Sequence, residues 1–102
     1  MKNHNEIDND ARELAISSLN SSLRSAEKAC LHSKDNPFHE KRKNIAISYY
    51  SIYLNCLENL RLRNFFVFLF YTEKKAAKIK QKNAIKARKK IEELLNNSIY
   101  YE

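Results

Sequence analysis

The chain of 102 residues contains no glycine and a single proline, Pro37. That absence limits the possible folds more than any other feature. Tight hairpins and bulges call for residues at positive φ, which glycine supplies without steric cost. Helices joined by Asn, Asp and Ser turns need glycine far less, so the sequence predicts an all-α fold. A hydrophobic fraction of 43% is that of a globular chain rather than a disordered one, and the length suits one domain. Glycine-rich phosphate loops, and the dinucleotide motifs built on them, are excluded outright.

Apolar spacing lays out an antiparallel bundle of three long helices, at about 9–33, 37–62 and 65–97, behind a frayed N-terminus at 1–8. Asp8, Asn9 and Asp10 are good N-caps, and Glu13 stands three residues after Asp10 as in a capping box. The first helix repeats Ala11, Leu14, Ala15, Ser18, Leu19, Ser22, Leu23, Ala26, Ala29 and Cys30 at helical intervals. The face is rich in small residues, so another helix can come close. The serines at 17, 18, 21, 22 and 25 are read as packing residues and a solvated edge rather than phosphoacceptors. Asn36 as N-cap and Pro37 as the first helical residue open the second helix. Its expected core stripe is Phe38, Ile45, Tyr49, Ile52, Tyr53, Cys56, Leu57 and Leu60. Tyr49, Tyr50 and Tyr53 are expected to pack their rings in the core rather than serve as a stacking platform for bases. The third helix presents Ala76, Ala77, Ala84, Ala87, Ile91, Leu94 and Leu95, followed by Ile99, Tyr100 and Tyr101 as an apolar tail.

Between the second and third helices lie seven consecutive apolar residues, Phe65 to Tyr71, with five of the eleven aromatics. A helix that is apolar all round is covered all round. Phe65, Phe66, Phe68, Leu69 and Phe70 therefore form an expected hydrophobic interface, with homodimerisation, or a partner's groove, completing the bundle. A turn at Arg63–Asn64 matches the helix lengths best. The alternatives are a turn at Thr72–Glu73, where Thr72 caps, and one unbroken helix from Pro37 to Asn96, about 90 Å long. Anchoring at an anionic membrane surface is disfavoured, because the phenylalanines occupy all sides rather than one face.

The net charge of +7 is unevenly spread. Residues 1–36 carry five Lys/Arg against six Asp/Glu, residues 37–63 five against two, and residues 64–102 nine against four. From Lys74 to Lys90 there are nine basic residues and no acidic one. On a helix, Lys75, Lys78, Lys82, Lys86 and Lys89 share one side, with Lys90 beside them, opposite the alanine and leucine face. Such a rail is about 20 Å long and can follow phosphates spaced about 3.4 Å apart along a DNA strand. Ammonium groups act as point charges, giving affinity and salt dependence but little discrimination of sequence.

The one catalytic or metal candidate is the first turn region, where Cys30, His32 and His39 lie near Asp35 and Glu40. Three ligands at this spacing fall short of a closed zinc site. His39 and Glu40 have residue types suited to acid–base work, with no second histidine placed beside them. A hairpin turning near Asp35 sets Cys30 opposite residue 40, leaving Cys56 about 24 Å away, too far for a disulfide. The N-terminus lacks the apolar core of a secretory signal. The longest charge-free run, Asn44–Leu57, is shorter than the roughly 20 apolar residues of a membrane span. A cytoplasmic location is the default, and the abundance of Lys, Asn and Ile hints at an AT-rich microbe or mobile element.

The chain is thus expected to be a small basic, non-enzymatic, homo-oligomeric binding protein with no cofactor and no metal. It engages a nucleic-acid backbone, as a regulator or subunit of a nucleoprotein complex. The alternative is a protein-interaction module, such as an inhibitor, immunity protein or adaptor from a phage, plasmid or low-GC bacterium, gripping an acidic protein. The third is a small enzyme or toxin centred on His39.

Overall fold

The computed structural model describes residues 4–64 and 73–97. They form three α-helices and no strand: α1 (His4–Ala29), α2 (Pro37–Asn64) and α3 (Glu73–Asn96). The chain runs up, down and up. Ala29 and Ser22 of α1 meet His39 and Ala46 of α2, while Asn55 and Lys43 of α2 meet Asn83 and Glu92 of α3. These antiparallel pairs exclude one unbroken helix from Pro37 to Asn96. The helices are arranged around α2, which packs extensively on α1 and less on α3, with α1 and α3 touching little.

α1 begins at His4, five residues before the expected Asn9. It ends at Ala29, not Ser33. The N–H groups of Cys30, Leu31 and His32 donate back to the carbonyls of Glu27, Lys28 and Ala29 at 3.1–3.2 Å, the tight i→i+3 closure of a helix that lacks a C-terminal glycine. The start of α2 is as expected. Asn36 Oδ1 accepts the Phe38 N–H at 2.9 Å, with Pro37 in the first helical position, where its missing N–H costs nothing.

Which side of α1 is buried follows residue size. Ala15, Ser18, Ser22, Ser25, Ala26 and Ala29 are buried, whereas Leu14 and Leu23, both expected in the core, are exposed. Small side chains let the backbones of α1 and α2 approach closely, and the Ser22 hydroxyl donates to the Ala46 carbonyl at 2.7 Å. Leucines cannot fit in that seam and are displaced to its edges. Among the described residues of α2, His39, Ala46 and Cys56 are buried. Phe38, Tyr49, Ile52 and Leu57, also expected in the core, stand 39–57% exposed. Apolar residues are spread around α2, and α1 and α3 cover only two of its sides. On α3, Ala87, Ile91 and Leu95 are buried as expected, but Ala84 is exposed and Asn83 takes its place.

The centre of the core is Ala26, Ala29, Cys30, Ala46, Ile91 and Leu95, with Ile47, Tyr50 and Leu94 packed around it. Among the described residues Ile91 is the one large apolar side chain that is fully buried. Both thiols are free and buried. The hydrophobic interface expected at Phe65, Phe66, Phe68, Leu69 and Phe70, and the choice between a turn at Arg63–Asn64 and one at Thr72–Glu73, lie outside the described residues.

Candidate nucleic-acid interface

The basic segment folds as part of α3 because its residues suit a helix. Lys, Ala, Arg, Gln, Glu and Leu lose little side-chain freedom there, and Glu73 places a negative charge in the first turn. The row Asn83, Ala87, Ile91 and Leu95 is turned inward, which fixes the direction of everything else on the helix. Lys75, Lys78, Lys82, Lys86 and Lys89 are all exposed on the side opposite that row, with Lys90 exposed at its edge. Lys74, Lys80 and Arg88 are exposed as well. The whole cluster of nine cations is therefore brought to solvent on one helix.

Asn83 is the buried polar residue in this arrangement. Its Nδ2 donates to Asn55 Oδ1 at 2.7 Å, which registers α3 against α2. At the other end, Glu92 accepts from Lys43 Nζ at 3.4 Å and Lys34 Nζ donates to Asn96 Oδ1 at 3.4 Å. The last turn of α3 has no basic residue of its own, and Lys34 supplies a positive charge beside its carbonyl end.

The histidine region lies where α1 ends and α2 begins. His39 is 5% exposed, and its Nδ1 lies 2.8 Å from the Ala29 carbonyl oxygen. A carbonyl only accepts, so Nδ1 carries the proton. His32 lies against Phe38, ring centroids 5.6 Å apart, and Cys30 belongs to the apolar core. Among the described residues no three His, Cys, Asp or Glu side chains are placed to hold a metal. A cavity of about 230 Å³ does adjoin His39, lined by Lys34, Glu40, Lys43, Glu92, Leu95 and Asn96.

Two features were missed by sequence reasoning. Ile85 is 66% exposed along one edge of the lysine row. Its position between Gln81 and Arg88 was legible from helical spacing. The outer face of α2 carries a shallow groove of about 650 Å³ lined by Lys41, Asn44, Ile45, Ser48, Tyr49 and Ile52; it arises because α1 and α3 leave that side uncovered. Tyr50 and Tyr53 meet edge to face, centroids 5.4 Å apart. Burial pushes the Tyr50 hydroxyl above its ordinary pKa, with Tyr53 adding to the effect. Burial likewise pushes the Cys56 thiol up.

No helix among the described residues is long and apolar enough to cross a membrane. No protein-family model, curated protein or solved structure matches the chain.

Proposed function

We propose that this chain is a non-enzymatic binding protein that engages a nucleic-acid backbone through α3, as a regulator or subunit of a nucleoprotein complex. The observation that supports it is the exposure of Lys75, Lys78, Lys82, Lys86 and Lys89 in one row, opposite the row that packs on α2. Like charges at i,i+4 repel and cost a few tenths of a kcal/mol per pair. A helix serving solubility alone could alternate signs. Unbroken positive charge over about 20 Å has a use against a polyanion, where release of condensed counterions supplies the binding free energy.

Self-association belongs to the same reading, since two copies present two rails to one nucleic acid; sedimentation equilibrium tests it. The test of the main function is fluorescence anisotropy of labelled duplex DNA and single-stranded RNA at two salt concentrations. Binding that weakens steeply with salt is expected. No binding to either at low salt overturns the function and leaves an acidic protein as the partner of the lysine face.

A further inference from the structure

We infer that α3 enters the major groove of B-form duplex DNA, with Gln81, Ile85 and Arg88 meeting the base edges; this rests on the nucleic-acid function proposed for the same helix. Ile85 is the residue that prompts it. It is 66% exposed, and its neighbours at i−4, i−3, i+3 and i+4 are Gln81, Lys82, Arg88 and Lys89, all exposed. A β-branched apolar side chain adds nothing to phosphate affinity and is a poorer helix former than the lysines and alanines around it. Its use is against an apolar surface presented among charges, and the thymine methyl group in the major groove is one.

The two flanking residues fit the same role. A glutamine amide pairs with both N6 and N7 of adenine, and an arginine guanidinium with O6 and N7 of guanine. Gln81, Ile85 and Arg88 stand one turn apart along α3. Lys75, Lys82, Lys86 and Lys89 run alongside them on one flank, in position for phosphates.

The class of nucleic acid follows from what α3 contains. Glu73–Asn96 holds no aromatic residue, so this helix offers no platform on which single-stranded bases stack. The major groove of A-form RNA is too deep and narrow for side chains to read. The B-DNA major groove, about 12 Å wide, admits a helix of about 10–12 Å diameter. Asn83, Ala87, Ile91 and Leu95 are buried; the lysine row lies opposite them, and Gln81, Ile85 and Arg88 are exposed on the flank between the two rows. Glu92 and Glu93 end the basic segment, which confines the contact to Lys74–Lys90, about 24 Å of helix.

The test is selection from a duplex DNA pool with a randomised core. Anisotropy then follows on the selected duplex, a scrambled duplex of equal composition, an RNA duplex and a single strand. The selected duplex is expected to bind roughly ten-fold or more tighter than the scrambled one. Gln81→Ala and Ile85→Ala are expected to erase most of that preference while leaving the salt slope unchanged, since neither residue is charged. Both are exposed, so the fold tolerates the change. Equal binding of the selected and scrambled duplexes, a preference for RNA or single strands, or a preference that survives both substitutions overturns this inference alone. No binding of any probe at low salt overturns the proposed function and this inference with it.

Discussion

His39 of α2 donates its Nδ1–H to the carbonyl oxygen of Ala29, 2.8 Å away, and so closes the last turn of α1 with the first turn of α2. The same carbonyl accepts the His32 N–H at 3.2 Å. A helix end without glycine leaves carbonyls that need partners, and a buried imidazole from the next helix supplies one. His39→Ala is expected to cost about 1–3 kcal/mol, from the lost bond and the space left behind. His39→Asn, which keeps an N–H donor near the Nδ1 position, is expected to recover part of it. Urea unfolding followed by circular dichroism measures both. Nucleic-acid affinity of the folded variants should match the wild type; a loss of function in the well-folded Asn variant would point instead to chemistry at the ring.

Ile91 fastens α3 to the other two helices, seated among Ala26, Ala29, Cys30, Ala46 and Leu95. With so few large side chains in this core, no neighbour can collapse into its place. Ile91→Ala is expected to cost about 2–5 kcal/mol, enough to unfold a marginal domain. The exposed Ile85→Ala should stay within about 0.5 kcal/mol of wild type. Thermal melts of the two variants side by side check the contrast. Equal destabilisation would contradict the inward direction of the Asn83–Leu95 row.

The bond between Asn83 and Asn55, 2.7 Å long, lies part-buried in the α2–α3 seam. Its net contribution should be about 0.5–1.5 kcal/mol. A double-mutant cycle with Asn55→Ala and Asn83→Ala isolates that coupling. A coupling near zero would mean that water replaces the partner without loss and that the pair does not set the register.

Replacing Lys78, Lys82, Lys86 and Lys89 by Gln should leave the helix content intact. Removal of i,i+4 repulsion should raise thermal stability slightly, by a few tenths of a kcal/mol for each pair relieved. Each lysine that neutralises a phosphate contributes about 0.9 to the slope of log K against log salt. The quadruple variant should therefore lose up to three or four from that slope, read by titration at several salt concentrations. An unchanged slope places the phosphate contacts elsewhere on the chain.

Both thiols are buried, and desolvation raises the Cys56 pKa. The native state therefore holds the Cys56 proton at a pH where the unfolded state has released it. This contribution to stability is complete below the ordinary thiol pKa of about 8.5 and is lost as pH rises through the raised native value. Stability should fall on the alkaline side of that range, and less so in Cys56→Ala. Thiol titration at neutral pH should find both cysteines slow to react when folded and fast in denaturant. Fast native reaction of Cys56 would show that its side of α2 opens readily.

The amino-acid sequence alone determined the class of fold, because a chain without glycine and with apolar residues at helical intervals has few alternatives to packed helices. It also determined the cap at Asn36–Pro37 and the cationic face of α3. A cap needs only its own neighbours, and one helical period places Lys75 through Lys89 on one side. Tertiary packing decided the rest. Leu14 and Leu23 lost the α1 seam to Ala15, Ser18 and Ser22, because two backbones that approach closely admit small side chains and exclude large ones. Asn83 went in and Ala84 stayed out, because Asn55 on α2 offers a partner that no pattern within α3 reveals. His39 was brought against the end of α1, where the Ala29 carbonyl accepts its N–H beside that of His32, a contact that no pattern within α2 reveals. Periodicity assigns residues to faces; which face is covered depends on the shape and hydrogen-bonding groups of the neighbouring helix, and those exist only once the chain has folded.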